Sequence, residues 1–68
     1  MERYLLLDEV AEIFRCSKRT VYRLIYDGEL PAFRVRGSLR VQESAIEAYR
    51  DLQTARFQEE YPLLEAER

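Results

Sequence analysis

The feature that most constrains the fold of this chain is a break of two residues, Arg15 and Cys16, between two stretches with helical apolar spacing. The first stretch follows Asp8, a candidate N-cap, and its apolar stripe comprises Val10, Ala11, Ile13 and Phe14. The second follows Ser17, a good N-cap, and its apolar positions are Val21, Leu24 and Ile25. Because so short a turn cannot leave two helices antiparallel over any length, the sequence predicts two short helices that cross steeply, as in a helix-turn-helix.

The outer face of the second helix is expected to be basic. Its apolar positions point inward, which leaves four long side chains facing outward: Lys18, Arg19, Tyr22 and Arg23. A narrow helix with cationic and hydrogen-bonding side chains is a surface that a DNA major groove accepts. Thr20, in the first turn, could face outward or pack inward. Tyr22 and Tyr26 are four residues apart, so a stacked pair on the helix surface is the simpler alternative to a DNA contact.

A basic hairpin is predicted to follow. The second helix should end near Asp27-Gly28, because glycine can take the left-handed conformation there, and Leu30-Pro31 prevents the helix from resuming. Two short alternating runs, Phe33-Arg34-Val35 and Leu39-Arg40-Val41, then flank the turn Arg36-Gly37-Ser38. We expect a wing whose inner face carries Phe33, Val35, Leu39 and Val41. The arginines that project outward or lie at its tip would be Arg34, Arg36 and Arg40.

Flanking segments complete the predicted architecture. Tyr4-Leu5-Leu6 is long enough only for an edge strand or an extended lead-in. A third helix is expected to begin at Ser44, or at the neighbouring Gln42-Glu43, and to run to about Glu60, because Tyr61 precedes Pro62. Its apolar positions are Ala45, Ile46, Ala48, Tyr49, Leu52 and Ala55. The predicted fold is therefore mainly α with a small β-hairpin wing, a winged helix-turn-helix.

Residues 1–52 form the predicted compact part of the chain, which we call the head. The third helix and the residues after it are longer than is needed to cover the hydrophobic core of the head. We expect the distal half of the third helix to project, fold back or meet a partner, and its large apolar residues are Phe57, Tyr61, Leu63 and Leu64. A contact with a second copy and a frayed acidic tail are both compatible with this segment. The sequence thus divides into a winged helix-turn-helix DNA-binding domain at 1–52 and a C-terminal helical extension or acidic tail at 53–68.

Composition argues against several classes of protein. The 68 residues suffice for one domain and include one cysteine, no histidine and no tryptophan. Disulfide frameworks, Cys/His zinc sites and histidine-based catalysis lack their residues, so we expect no enzyme activity, catalytic residue, metal or cofactor. Cys16 is interpreted as a small buried hydrophobe rather than a redox sensor. The longest apolar run, Tyr4-Leu5-Leu6-Leu7, is too short for a membrane span, and no signal-peptide pattern is present, so a cytoplasmic protein is expected.

Charge is distributed unevenly along the chain. The formal net charge is −2, but residues 1–14 carry −3, residues 15–40 carry +5 and residues 41–68 carry −4. A basic segment between two acidic segments would direct an anionic partner to a single face of the protein. On composition alone, these charges could equally be ordinary solvated surface.

Four motifs that occur in order carry a family resemblance: Leu7-Asp8-Glu9-Val10-Ala11-Glu12-Ile13-Phe14, Cys16-Ser17-Lys18-Arg19-Thr20-Val21-Tyr22-Arg23-Leu24-Ile25, Gly28-Glu29-Leu30-Pro31-Ala32 and Arg36-Gly37-Ser38-Leu39-Arg40-Val41. Over residues 4–52 the chain resembles the excisionase type of DNA-binding domain, and it is similar also to the winged-helix head of MerR-type regulators. The resemblance implies a winged helix-turn-helix that binds double-stranded DNA in a bacterial or phage setting. The implied role is phage-type recombination directionality or transcriptional control.

The chain departs from that pattern in two places. Arg15 stands where such motifs usually have glycine, and Cys16 where valine or isoleucine is commoner. Either Arg15 is left-handed, at a cost of about 1 kcal/mol, or the turn has a different shape. The extension beyond about Gln53 lacks the long coiled coil or ligand domain of a full MerR regulator.

The chemistry of each group suggests its contact with DNA. Phosphate contacts supply most affinity, whereas base edges supply discrimination. On the second helix, Arg19 and Arg23 are candidates for guanine and Tyr22 for a base or a phosphate, while the first-turn residues are expected at phosphates. On the wing, Arg36 and Arg40 would enter or skirt the minor groove, and Arg34 could touch DNA or be solvated. The complete predicted DNA-binding set is Ser17, Lys18, Arg19, Thr20, Tyr22, Arg23, Arg34, Arg36, Ser38 and Arg40.

Two classes of function are compatible with the sequence. The first is sequence-specific double-stranded DNA binding, with residues 17–27 in the major groove and residues 33–41 on the minor groove or backbone. Within it, a directionality factor with a recombinase partner and side-by-side assembly is not separable from a regulator that binds as a homodimer. The alternative class is a protein-protein interaction module that uses a winged-helix fold. No membrane partner is expected.

Overall fold

The computed structural model describes residues 2–61, which form three helices and three short strands. The strands β1 (Tyr4–Leu5), β2 (Phe33–Val35) and β3 (Ser38–Gln42) make an antiparallel sheet of order β1-β3-β2. The helices are α1 (Leu7–Phe14), α2 (Lys18–Tyr26) and α3 (Glu43–Glu60). The predicted mainly helical fold with a hairpin wing, a winged helix-turn-helix, is confirmed.

Helix α1 begins one residue earlier than its expected cap. Leu6 is the N-cap, and its backbone N–H donates to the Glu9 carboxylate at 2.8 Å. The expectation that Asp8 caps the helix is therefore wrong, because the hydrophobic pattern draws Leu7 into the helix as a buried residue. Asp8 lies instead within the first turn, where a carboxylate interacts favourably with the helix dipole.

Both helices of the helix-turn-helix end in the same way. After α1, Arg15 is left-handed at φ 57°, its N–H donates to the Glu12 carbonyl, and the Cys16 N–H donates to the Ala11 carbonyl at 2.9 Å. After α2, Gly28 takes the equivalent place at φ 80°, with the same pair of hydrogen bonds. This is the Schellman ending, which normally has glycine at the left-handed position. Of the two alternatives for Arg15, the structure has the left-handed one.

Helix α2 starts as the sequence predicts. Ser17 is the N-cap, and its hydroxyl accepts a hydrogen bond from the Thr20 backbone N–H at 3.2 Å. Val21 is completely buried, and Leu24 and Ile25 pack against the core, so the apolar side of α2 faces inward. Thr20 is exposed, with its hydroxyl 3.0 Å from that of Ser17, and does not pack inward.

The wing differs from the expectation in its turn. Arg36 and Gly37 have φ values of 51° and 82° and form a two-residue turn of the type I′ pattern, rather than the three-residue turn expected. This register pairs Phe33 with Arg40 and Arg34 with Leu39. Opposite residues share a face, so a shift of one residue in the turn moves one whole strand to the other face. The expected inner face is therefore wrong for two of its four residues, Phe33 and Val35.

Burial of the wing residues agrees with that register. Leu39 is half-buried and Val41 is completely buried, on the face that the helices cover. Phe33 and Val35 are 39% and 43% exposed on the opposite face, so the expectation that they lie on the inner face of the wing is wrong. Phe33 instead meets Tyr4 edge to face, with ring centroids 5.3 Å apart.

The core is small and draws on most of the elements. Its buried residues come from β1, α1, α2, β3, α3 and the loop after α2: Leu5, Leu7, Val10, Ala11, Val21, Leu30, Val41 and Ile46. Cys16 is half-buried against this cluster, in line with its interpretation as a small hydrophobe. Tyr49 is also partly buried, and the centroid of its ring lies 5.6 Å from that of Phe14.

Helix α3 packs on the head through its first turns and then leaves it. Ile46 is buried, whereas Leu52 and Phe57 are 50% and 46% exposed, and the described molecule measures 47 × 28 × 20 Å. Within the described residues the distal half of α3 projects from the head and does not fold back on it. The expected apolar positions Leu63 and Leu64 lie outside the described residues. None of the helices within residues 2–61 combines the length and apolar character needed to cross a membrane.

Candidate nucleic-acid interface

A groove of about 470 Å³ runs between α2 and the wing. From α2 it is lined by Lys18, Tyr22 and Tyr26, which are spaced four residues apart and therefore form one row along the helix. From the wing it is lined by Arg34, Arg36 and Ser38. Three cations thus converge on a single concave surface, although the two segments that supply them are distant in sequence.

Two tyrosines form the helix wall of this groove. The rings of Tyr22 and Tyr26 lie 6.1 Å apart between centroids and only 5° from parallel. The stacked pair considered as an alternative for these residues is confirmed. Both side chains remain largely exposed, at 38% and 67%, so stacking leaves their surfaces accessible to a ligand in the groove.

A row of two arginines on α2 lies beside the row formed by Lys18, Tyr22 and Tyr26. Arg19 and Arg23 are both exposed and four residues apart, so they are neighbours on the helix surface. Neither residue lines the groove. Helix α2 therefore presents two outward rows, one of arginines and one that borders the wing.

One acidic side chain reaches the basic groove. Asp8, in the first turn of α1, lines the groove and lies 3.4 Å from the Lys18 ammonium, measured from Oδ1 to Nζ. The pair is open to solvent, since the side chains are 74% and 51% exposed. The sequence around Asp8 indicates only a helix cap, and no local pattern predicts this contact between α1 and α2.

The wing arginines point in different directions. Arg34 shares the helix-covered face with Leu39, lines the groove and donates to the Gly37 carbonyl at 3.3 Å. Arg40 shares the opposite face with Phe33 and donates to the Ser38 hydroxyl at 2.6 Å and to the Leu39 carbonyl at 3.1 Å. The expectation that Arg34 projects outward is therefore wrong, because the two-residue turn places Arg34 and Arg40 on opposite faces of the wing, whereas Arg36 lies at the tip.

The structure brings together half of the predicted residues in one groove. These are Lys18, Tyr22, Arg34, Arg36 and Ser38. The other five lie outside its lining: Ser17, Arg19, Thr20, Arg23 and Arg40. Tyr26 was missed as a lining residue, although its spacing of four from Tyr22 already placed it in the same row.

These features define a class of protein. Two helices joined through a left-handed residue, with a hairpin beside the second helix, constitute a winged helix-turn-helix domain. The sequence model of the family described as the helix-turn-helix domain matches residues 4–51. The chain belongs to this helix-turn-helix domain family.

Similar proteins occur in two bacteria. Two proteins of Mycobacterium tuberculosis, from strains CDC 1551 / Oshkosh and H37Rv, carry the name "Putative DNA-binding protein" and are each 58% identical over 38 residues, covering 56% of this chain and 49% of the relative. The uncharacterized protein YvgK of Bacillus subtilis strain 168 is 46% identical over 44 residues, covering 65% of this chain and 14% of YvgK. The chain thus spans about half the length of the mycobacterial relatives. No solved structure matches it closely enough for comparison.

Proposed function

We propose that this protein binds double-stranded DNA in a sequence-specific manner, with α2 in the major groove and the wing on the adjacent backbone or minor groove. The observation that carries the proposal is the groove in which Lys18, Arg34 and Arg36 converge between α2 and the wing. A phosphodiester strand has the charge to bind between these cations, because phosphate contacts are made chiefly by lysine, arginine and hydroxyl groups.

Base reading would fall to the neighbouring row. If a phosphate strand occupies the groove, Arg19 and Arg23 lie beside it on the exposed surface of α2, where bidentate contacts to guanine are available to arginine. The names of the mycobacterial relatives support DNA binding in this family. We propose a binding role and not an enzymatic one, because the sequence has no histidine and its single cysteine packs against the core.

The biological role proposed is that of a small excisionase-like directionality factor or transcriptional regulator. The motifs of residues 4–52 support both roles, and a recombinase would be the protein partner in the first. Either role places the protein with DNA in the cytoplasm.

Binding to a fluorescent mixed-sequence duplex across a salt series tests this proposal. Wild type is compared with Arg19→Glu/Arg23→Glu and with a control, Arg3→Glu/Arg50→Glu, which makes the same change of charge away from α2, the wing and the distal half of α3. We expect wild type and control to bind at low salt, and the α2 variant to lose binding while its helical circular dichroism is retained. Absence of wild-type binding at low salt, or equal loss in both variants, would contradict the proposal.

We further propose that the distal half of α3 contacts a second copy of the chain. Leu52 and Phe57 on this half of α3 and Tyr61 at its C-cap are 50%, 46% and 47% exposed. The ring centroids of Phe57 and Tyr61 lie 4.8 Å apart. Exposed apolar surface of this kind commonly marks a contact site. Sedimentation of Leu52→Glu/Phe57→Glu should give half the wild-type mass with the head still folded. A monomeric wild type would contradict this contact.

A further inference from the structure

We propose that Asp8 limits the affinity of this protein for DNA by opposing phosphate binding in the groove between α2 and the wing. This inference rests on the proposed DNA-binding function and adds a residue that restrains it. Asp8 is the one acidic residue among those that line the groove in the described part of the chain. Its neighbours across the groove are cations and phenols, so its charge is opposite to that of the surface in which it sits.

The contact with Lys18 gives Asp8 a direct route to this effect. Its carboxylate lies 3.4 Å from the Lys18 ammonium, and Lys18 heads the row of α2 residues that borders the groove. A lysine paired with a carboxylate neutralises a phosphate less effectively than a free lysine. Binding of DNA must either break the pair or bring phosphate close to the Asp8 carboxylate, and both outcomes weaken the complex.

The position of Asp8 argues against a role confined to folding. Its place in the first turn of α1 favours the helix through the dipole, but its side chain is 74% exposed and does not supply the N-cap. Leu6 takes the cap position, and Glu9 already accepts the Leu6 backbone N–H. The helix start therefore does not require a second carboxylate that points into the groove.

Neutralising Asp8 should strengthen DNA binding. For Asp8→Asn we expect affinity for a mixed-sequence duplex to rise about three- to tenfold at low salt, since one repulsion at close range is removed. The log–log salt dependence should steepen by about 0.9, because Lys18 becomes free to neutralise one more phosphate. Fluorescence anisotropy over a salt series measures both quantities, and circular dichroism checks that the variant folds.

The matched control is Glu47→Gln, which removes the same charge from an exposed position on α3. Glu47 lines a separate groove on α1, β1 and α3, with Glu9, Glu12 and Glu43 among its other residues. We expect this variant to change affinity by less than twofold. If Asp8→Asn gains no more than Glu47→Gln, the effect is one of net charge and the assignment to Asp8 is overturned.

A second comparison tests the part played by Lys18. In a Lys18→Gln background, Asp8→Asn should leave the salt dependence unchanged, because the cation that it releases is absent. A steeper salt dependence in that background would overturn the assignment. Failure of the underlying function is distinguishable, since then neither wild type nor any variant binds the duplex even at low salt.

Discussion

Arg40 lies directly opposite Phe33 across the wing, on the face of the sheet that the helices leave uncovered. Arg34, opposite Leu39, is on the helix-covered face and lines the groove beside α2. Two arginines in neighbouring strands of one hairpin therefore have different surroundings. Arg40 makes hydrogen bonds within its own strand, whereas Arg34 lies across from the tyrosines of α2.

This difference predicts unequal effects on DNA binding. Arg34→Gln should weaken binding to a mixed-sequence duplex and lower the log–log salt dependence by about 0.9, as expected for one lost phosphate contact. Arg40→Gln, which removes the same charge from the other face, should change the salt dependence by much less. Anisotropy titrations at several salt concentrations measure both. Equal slopes for the two variants would contradict the role assigned to the groove.

Arg23 should behave as a base-reading residue. Arg23→Ala is expected to cost about 1–3 kcal/mol on the preferred site and to relax specificity at one base pair, with little change in non-specific affinity. Selection of binding sites from a random duplex library, with wild type and variant in parallel, measures this. Uniform weakening on every sequence would instead identify Arg23 as a phosphate contact.

The left-handed Arg15 predicts a stabilising substitution. Arg15→Gly should raise the free energy of unfolding by about 1 kcal/mol, because glycine adopts the required positive φ without the steric cost that arginine meets. Urea denaturation followed by circular dichroism measures the change.

The control for Arg15→Gly is Gly28→Ala, which makes the reverse change at the equivalent position after α2. A methyl group at Gly28 would meet no atom within 4 Å, so its expected cost of about 1 kcal/mol comes from the positive φ alone. Opposite signs at the two positions would confirm that backbone conformation is the cause. Destabilisation by both substitutions would show that the Arg15 side chain contributes stability of its own.

Glu2 should contribute to stability although it lies outside every helix and strand. Its carboxylate accepts the Ser44 backbone N–H and the Gln42 amide, both at 3.0 Å, and so caps the start of α3. Glu2→Ala should lower the free energy of unfolding by about 1 kcal/mol, the usual cost of a lost helix cap. Glu2→Gln retains an acceptor oxygen and should cost less. Thermal unfolding of the two variants side by side makes the comparison.

Local sequence was sufficient for most of the fold. Ser17 caps α2 as expected, Gly28 ends it, and Tyr61 before Pro62 marks the end of α3. These outcomes depend on the conformational preferences of single residues and on hydrogen bonds to near neighbours. The apolar spacing of α2 likewise predicted which of its side chains face inward, because a helix has one period and one register.

The candidate site was predicted less completely. The residue types on α2 and the wing were identified from charge and spacing. Alternation within each strand, however, does not determine which residues of the two strands lie on the same face of the hairpin. That assignment depends on the length of the turn, which comprises only two residues, Arg36 and Gly37, where three were expected. As a result the sequence favoured Arg40 as a wing contact over Arg34, which is the one that lines the groove.

The sequence by itself determined the order of the elements, the inward face of α2 and the left-handed ending of α2 at Gly28, because each follows from local periodicity or the preferences of single residues. Only the tertiary structure decided the register of the wing, the cap that Glu2 supplies to α3 and the meeting of Asp8 with Lys18. The physical reason is that these contacts join elements whose relative placement is set by packing on the shared core of Val10, Val21 and Val41, and no local pattern specifies that packing.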